Sequence, residues 1–226
     1  MGDINISFKE LAAANVKAND PDKGRIGFQV DSVTGDYIIV EYNTFIGNYP
    51  ARFGNEICVW KGDGVRWGDT PLFSKAVPSD DQYGQVVIDG LTIGKGSFTV
   101  GYSVGNSPEQ TAACVVIDGS KQTSQFSCAI NITSVNDGMV EFEYKTLQGY
   151  TPSKHGAWVG IWDNDSVPYP AAGAKATTNI SSDSANGNGV LLVNLASGHQ
   201  YTVGLFLPEK GNCNPTCLAA TALFKY

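Results

Sequence analysis

When the sequence is slid along itself by 102 positions, Ser32–Trp60 falls on Ser134–Trp162 without a gap, and nine of the 29 pairs are identical. Ordinary residue frequencies would give about two. The match resumes one position out of step, with Phe98-Thr-Val-Gly101 on Tyr201-Thr-Val-Gly204, and thirteen residues later Cys114 falls on Cys217. A long fixed period means that one structural unit occurs twice. The chain divides into an N-terminal arm (1–24), a first repeat (25–118), a linker (119–125) and a second repeat (126–226). Each repeat has the length of a small domain. The linker, Gly119-Ser-Lys-Gln-Thr-Ser124 and its neighbour, is polar and short, so the two domains should touch.

The pattern inside each repeat is that of strands. Ile26, Phe28 and Val30 alternate with polar or small residues, and Cys128, Ile130 and Ile132 do the same at equivalent positions. A period of two buries one face of a strand. It also makes Cys128 a counterpart of Ile26, a small hydrophobe in the core. Turn residues punctuate the strands at Thr34-Gly35-Asp36, Asp89-Gly90, Asn136-Asp137-Gly138 and Ala196-Ser197-Gly198. Six or seven short strands per hundred residues predict an all-β chain: two tandem immunoglobulin-like antiparallel β-sandwich domains.

A local motif points the same way. Val140, Glu141, Phe142 and Tyr144, a loop with Pro152, then Trp158-Val-Gly-Ile-Trp162 resemble the opening of SKICH-type and related immunoglobulin-like modules. The first repeat has Glu41, Tyr42, Pro50, Val59 and Trp60 in the matching stretch, with Glu56 where Trp158 falls. The resemblance covers about 30 residues of each repeat. It implies a sandwich that recruits partners rather than one that catalyses.

Charge narrows the partners. The net charge is −7 and there is no run of Lys or Arg, so the chain lacks the basic stripe that phosphate contacts need. Nucleic acid and anionic membranes are not expected partners, and no apolar stretch is long enough for a membrane span. The N-terminus carries Asp3 and no continuous apolar core, unlike a signal peptide. If the chain is complete, it is expected in the cytoplasm. The five cysteines give no disulfide framework. Cys213 and Cys217 could close a small loop, contribute two metal ligands, or remain thiols. Cys114 and Cys217, as equivalents, are expected buried and unpaired, each in its own core.

No catalytic motif occurs. The two histidines, His155 and His199, lie apart, and His155 falls on Phe53 of the first repeat. The expected function is therefore non-enzymatic binding of a carbohydrate or protein ligand without a cofactor. Self-assembly is the alternative, and hydrolysis by an acidic residue pair a remote one. The candidate ligand residues lie around one strand end. Trp60 and Trp162 fall at the same position of each repeat. Either they are the core Trp of each sandwich, or, if Ile57, Val59, Val159 and Ile161 face inward, they face outward as a platform. The loop that follows reads Lys61-Gly-Asp-Gly-Val-Arg-Trp-Gly-Asp-Thr-Pro71 in the first repeat and Asp163-Asn-Asp-Ser-Val-Pro-Tyr-Pro170 in the second. Trp67 and Tyr169 are its equivalent aromatics, and Asp63 and Asp69 its acids. An aromatic on a loop packs back on its own domain or binds something. Asp163 and Asp165 carry oxygen ligands at a spacing that would suit Ca²⁺. The arm is apolar at Ile4, Ile6, Phe8, Leu11 and Val16, which suggests that it docks between the repeats or on a second copy as a homo-oligomer contact.

Overall fold

The computed structural model describes residues 24–93, 96–208 and 215–226. The arm, apart from Gly24, and Cys213 lie outside the described residues. The first half contributes β1 (Gly27–Val33), β2 (Tyr37–Asn43), β3 (Glu56–Lys61), β4 (Phe73–Ala76), β5 (Tyr83–Asp89), β6 (Ser97–Ser103), β7 (Thr111–Asp118) and β8 (Lys121–Ser127). The second contributes β9 (Ala129–Asn136), β10 (Met139–Lys145), a one-turn helix α1 (Pro152–His155), β11 (Trp158–Trp162), β12 (Ala176–Asn179), β13 (Asn186–Leu192), β14 (Gln200–Phe206) and β15 (Leu218–Lys225). The chain is all-β, and every strand pairing is antiparallel. The sheets run β1-β2-β5 and β4-β3-β6-β7-β8 in the first half, β9-β10-β13 and β12-β11-β14-β15 in the second. Apart from β8, the strand order is the same in both. The turns fall where glycine permits them, with Gly90, Gly138 and Gly198 at φ of 78°, 79° and 83°.

Residue pairings show how far the two halves correspond. Val30 pairs with Val40 and Ile132 with Phe142, which preserves the offset of 102. The last strand breaks it. Cys114 pairs with Gly101, but Gly204 pairs with Thr221 rather than Cys217. Four extra residues before β15 put Cys217 where the first half has Gln110. The backbone agrees: Val104 N–H donates to Gln110 O at 3.1 Å, and Leu207 N–H to Cys217 O at 3.0 Å. Cys114 and Cys217 are both buried, but they are not equivalents, and the cores they enter are one continuous apolar cluster.

That cluster is built from inward rings. Phe28 and Tyr42, from the three-stranded sheet, meet Tyr102 of the facing sheet with centroids 5.9 Å and 5.6 Å apart. Tyr102 is fully buried, and its hydroxyl donates to Asn55 Oδ1 at 2.8 Å. In the second half the Phe142 ring occupies space above β13, where a Cβ on Gly189 would lie 2.5 Å from Phe142 Cζ. Glycine there is a packing requirement.

The stretch expected as linker is largely strand. After a turn at Gly119 the chain returns as β8 along β7, so Phe126 pairs with Cys114 and Gln125 with Val115. An exposed edge strand needs no apolar alternation to be stable, and polar residues there discourage stray pairing. The second half lacks such a strand among the described residues, and the difference is visible in burial. Val116 on β7, beside β8, is 6% exposed, whereas Leu223 at the same position of β15 is 53% exposed. Among the described residues only the start of β15 has a neighbour on that side, where Gly24 O accepts from Thr221 N–H at 2.8 Å and Arg25 bridges Ala220. That bridge is the counterpart of Ser127 pairing with Ala113.

Replacing Tyr102 by Phe keeps the ring and removes one of the two hydrogen bonds that Asn55 Oδ1 accepts, leaving the one from Asn48 Nδ2. The expected cost is about 1–2 kcal/mol, read as a lower urea midpoint at unchanged m-value. An unchanged midpoint would mean that the hydroxyl is dispensable.

Candidate functional site

Strand β3 decides the position of both tryptophans. Ile57 and Val59 face the sandwich interior, so Trp60 points to the outer face of the sheet, and Trp162 does the same on β11. Yet neither forms a platform, since Trp60 is 1% and Trp162 3% exposed. The loop after each strand folds back over this face. In the second half Trp162 clusters with Val167, Phe206 and Leu218 beneath residues 163–175, and its indole N–H donates to Ala172 O at 2.8 Å. In the first half Trp60 lies over Gly101, where a Cβ would stand 3.0 Å from its ring. Alternation was right about direction, but the covering loop makes both indoles interior.

Trp67 and Tyr169, expected to pack on their own domains or to meet a ligand, both reach the other half of the chain, and Tyr169 also packs on its own half beside Trp162 and Phe206. Trp67 donates its indole N–H to Gln148 O at 2.7 Å, with its ring 5.0 Å from Tyr150. Its ring also presses on Gly149, where a Cβ would lie 3.0 Å from Trp67 Cδ1. Tyr169 mirrors this contact. Its Cβ is 3.0 Å from where Gly47 would carry one, and its ring is 5.6 Å from Phe53. The Tyr169 hydroxyl donates to Thr216 O at 2.6 Å. Gly47 and Gly149 are equivalent residues, both at positive φ, 83° and 81°. Each half thus inserts its loop aromatic against the same glycine of the other, as in a two-fold isologous contact. Near the local axis the equivalents Gln110 and Cys217 touch, with Gln110 Nε2 donating to Cys217 Sγ at 2.7 Å. Beside them Glu109 Oε2 is 3.1 Å from His155 Nδ1, and His155 stacks on Tyr150 at 4.9 Å.

With Trp67 drawn into the seam, the rest of its loop leaves a cavity of about 490 Å³ at the end of β3. Its walls include Trp60, Lys61, Asp63, Arg66, Asp69 and Leu72. Thr70, and Ser97 from β6, complete them. The loop base is fixed: Gly62 N–H donates to Ser97 O at 2.7 Å, Leu72 N–H to Val59 O at 2.8 Å, and Thr99 Oγ1 to Gly62 O at 2.9 Å. Arg66 Nε donates to Lys61 O at 2.8 Å, which folds its guanidinium over the loop. Asp63 and Asp69, expected from sequence, belong to this cavity. Lys61, Arg66, Thr70, Leu72 and Ser97 were not singled out. The mixed charge of the Gly-rich loop signalled the first two, but nothing local signals Ser97.

Asp163 and Asp165, the candidate calcium ligands, have other partners. Asp163 Oδ1 is 2.9 Å from His199 Nδ1, and its Oδ2 3.2 Å from Lys175 Nζ. The His199 contact, with Lys175 behind it, holds the Asp163 carboxyl below the ordinary carboxylate value. Asp165 Oδ1 accepts from Ser166 at 3.2 Å. Among the described residues no group of three or more His, Cys, Asp or Glu is placed to hold a metal ion.

Two outcomes follow. Trp67→Ala removes a ring and a hydrogen bond from the seam, at an expected cost of about 3 kcal/mol. Gly149→Ala should also destabilise, since it combines a positive φ with a close contact. Urea titrations that leave both variants as stable as the parent would show that the seam carries no stability. Burial raises the thiols of Cys114 and Cys128 from 9.0 to about 12. They should resist iodoacetamide at neutral pH until the chain is unfolded. Their contribution to stability is complete below pH 9.0, the ordinary thiol value, and is lost as pH rises toward about 12. Rapid native-state alkylation would contradict this.

No family model matches the sequence, and no curated protein matches it. Among solved structures the chain is similar to a DUF3823 family protein from Bacteroides uniformis, at 9% identity over 80% of this chain and 93% of that one, with a TM-score of 0.34. It is also similar to a biofilm-associated protein BSP domain, at 13% identity and TM-score 0.24, over 80% of this chain and 27% of that one.

Proposed function

We propose that this chain is a non-catalytic binding protein whose ligand, a carbohydrate or a polar protein segment, is held in the cavity of the β3–β4 loop. The observation that carries this reading is the state of the charges there. Lys61, Asp63, Arg66 and Asp69 line one cavity, yet among the described residues none is paired with an oppositely charged group. Pairs of opposite sign offer both donors and acceptors, and the hydroxyls of Thr70 and Ser97 add neutral ones. Leu72, 59% exposed, supplies an apolar edge. This mixture suits a hydroxylated ligand. Because the Trp60 face is buried, recognition rests on hydrogen bonds more than on ring stacking. The seam supports the reading by fixing the loop through Trp67, so that the cavity is formed before the ligand arrives. Buried thiols held protonated are poor nucleophiles, which also favours binding over catalysis.

Self-assembly is the second reading. Its supporting observation is the β15 edge, where Leu223 stands uncovered among the described residues. Light scattering that shows concentration-dependent growth without ligand would favour it.

Glycan-array and pull-down screens with the full chain should find a ligand. The double variant Asp63→Asn/Asp69→Asn should bind it at least tenfold more weakly with an unchanged melting temperature. Equal binding by the variant, or no ligand in either screen, would refute the cavity as the site.

A further inference from the structure

We infer that the chain carries one ligand site rather than two, and that this site takes a saccharide bearing a carboxylate. The inference rests on the binding reading above and makes its ligand specific. The two halves share the framework that builds the cavity: a β3-type strand ending in Trp, then a loop folded over the outer face. They differ in what completes it. In the second half the residue in the place of Lys61 is Asp163, and it is already satisfied by His199 at 2.9 Å and Lys175 at 3.2 Å. Lys175 comes from the covering loop itself and lies 5.8 Å above the Tyr201 ring. The Trp162 indole N–H is taken by Ala172 O. That position fills itself.

In the first half each of these groups lacks its internal partner. The Trp60 indole nitrogen is buried with no hydrogen-bond partner, and Trp60 forms part of the cavity wall. A buried N–H left unpaired is costly, so an acceptor on a bound ligand would lower the free energy there. Among the described residues no carboxylate lies within 4.0 Å of the Lys61 ammonium. Arg66 spends Nε on the Lys61 carbonyl, which leaves its terminal nitrogens as a fixed pair of donors. That geometry matches a carboxylate, which accepts two parallel bonds from a guanidinium. Asp63 and Asp69 then accept from hydroxyls. The same two acids disfavour a phosphate or other dianion, which would be repelled by both. A singly charged, hydroxyl-rich ring satisfies all four charges.

Isothermal titration of the full chain tests this with two singly charged acids, the methyl glycoside of galacturonic acid and the methyl glycoside of N-acetylneuraminic acid, each against its methyl ester. The ester keeps every hydroxyl and loses only the charge. The expected result is that one of the acids binds with one molecule per chain, and that its ester binds at least tenfold more weakly. Arg66→Gln should reduce that ratio, with circular dichroism showing a retained fold. In proton–nitrogen spectra the Trp60 indole signal, assigned with Trp60→Phe, should move on binding while that of Trp162 stays. Two molecules per chain, equal affinity for acid and ester, or a shifted Trp162 signal would overturn the inference. Failure of both acids while the array reports a neutral glycan would also overturn it, and would leave the binding reading standing. Failure of every ligand in both experiments would remove the binding reading itself.

Discussion

Gly47 and Gly149 set the relation between the two halves. Each sits at a positive φ in the loop before β3 or β11, and each presents bare backbone to an aromatic from the other half. A side chain at either place would contact Tyr169 or Trp67 at 3.0 Å. The two insertions are reciprocal, so neither half can shift without disturbing both. Around them polar contacts cross the boundary, with Gln110 Nε2 on Cys217 Sγ and Leu207 O, and Glu109 facing His155. The apolar cluster that results is continuous from one sandwich to the other. Two domains of this size would each have a modest core, and joining them removes one surface from each.

The same insertion shapes the candidate site. Drawing Trp67 sideways into the seam stretches the Lys61–Leu72 loop and leaves space beneath it. In the second half Tyr169 is drawn across as well, but Trp162, Val167 and Phe206 fill the space below. A common framework therefore yields one open and one closed position, and the closing residues, His199 and Lys175, stand against Asp163 in the second half.

Much of the fold was legible in the residues. A repeat offset of 102 is a statement about register, and strand pairing preserved it through β1, β2 and β3. It failed at β15 because Cys217 follows Gly204 of β14 by as many residues as Cys114 follows Gly101 of β6, while the longer connection of the second half moves the strand by four. Identity of one residue type cannot reveal a loop insertion. β8 was hidden for a different reason. Lys121–Ser127 has only Phe126 as an apolar residue, and an edge strand exposed on most of its length leaves no alternation to read. For Trp60 and Trp162 the sequence left two placements open, the core of each sandwich or an outward platform; they leave the strand outward and are nevertheless buried, because burial on that side depends on a loop whose path the sequence does not specify. Trp67 and Tyr169 were recognised as equivalents in need of a contact. Their partner was the other repeat, which a reading of each repeat by itself could not supply.

The pairing of Gly24 and Arg25 with β15 has a mechanical meaning. Antiparallel neighbours that leave a sheet from the same side are pulled apart like a zipper, one hydrogen bond at a time. From the Arg25–Ala220 bridge, Gly24 and the strand continuing to Lys225 lie on the same side. Tension between Gly24 and Tyr226 would therefore peel Gly24 and Arg25 from β15 one bond after the other instead of loading those bonds together in shear. Such a contact yields at low force and re-forms readily. The reciprocal aromatics of the seam would be left to bear whatever load remained.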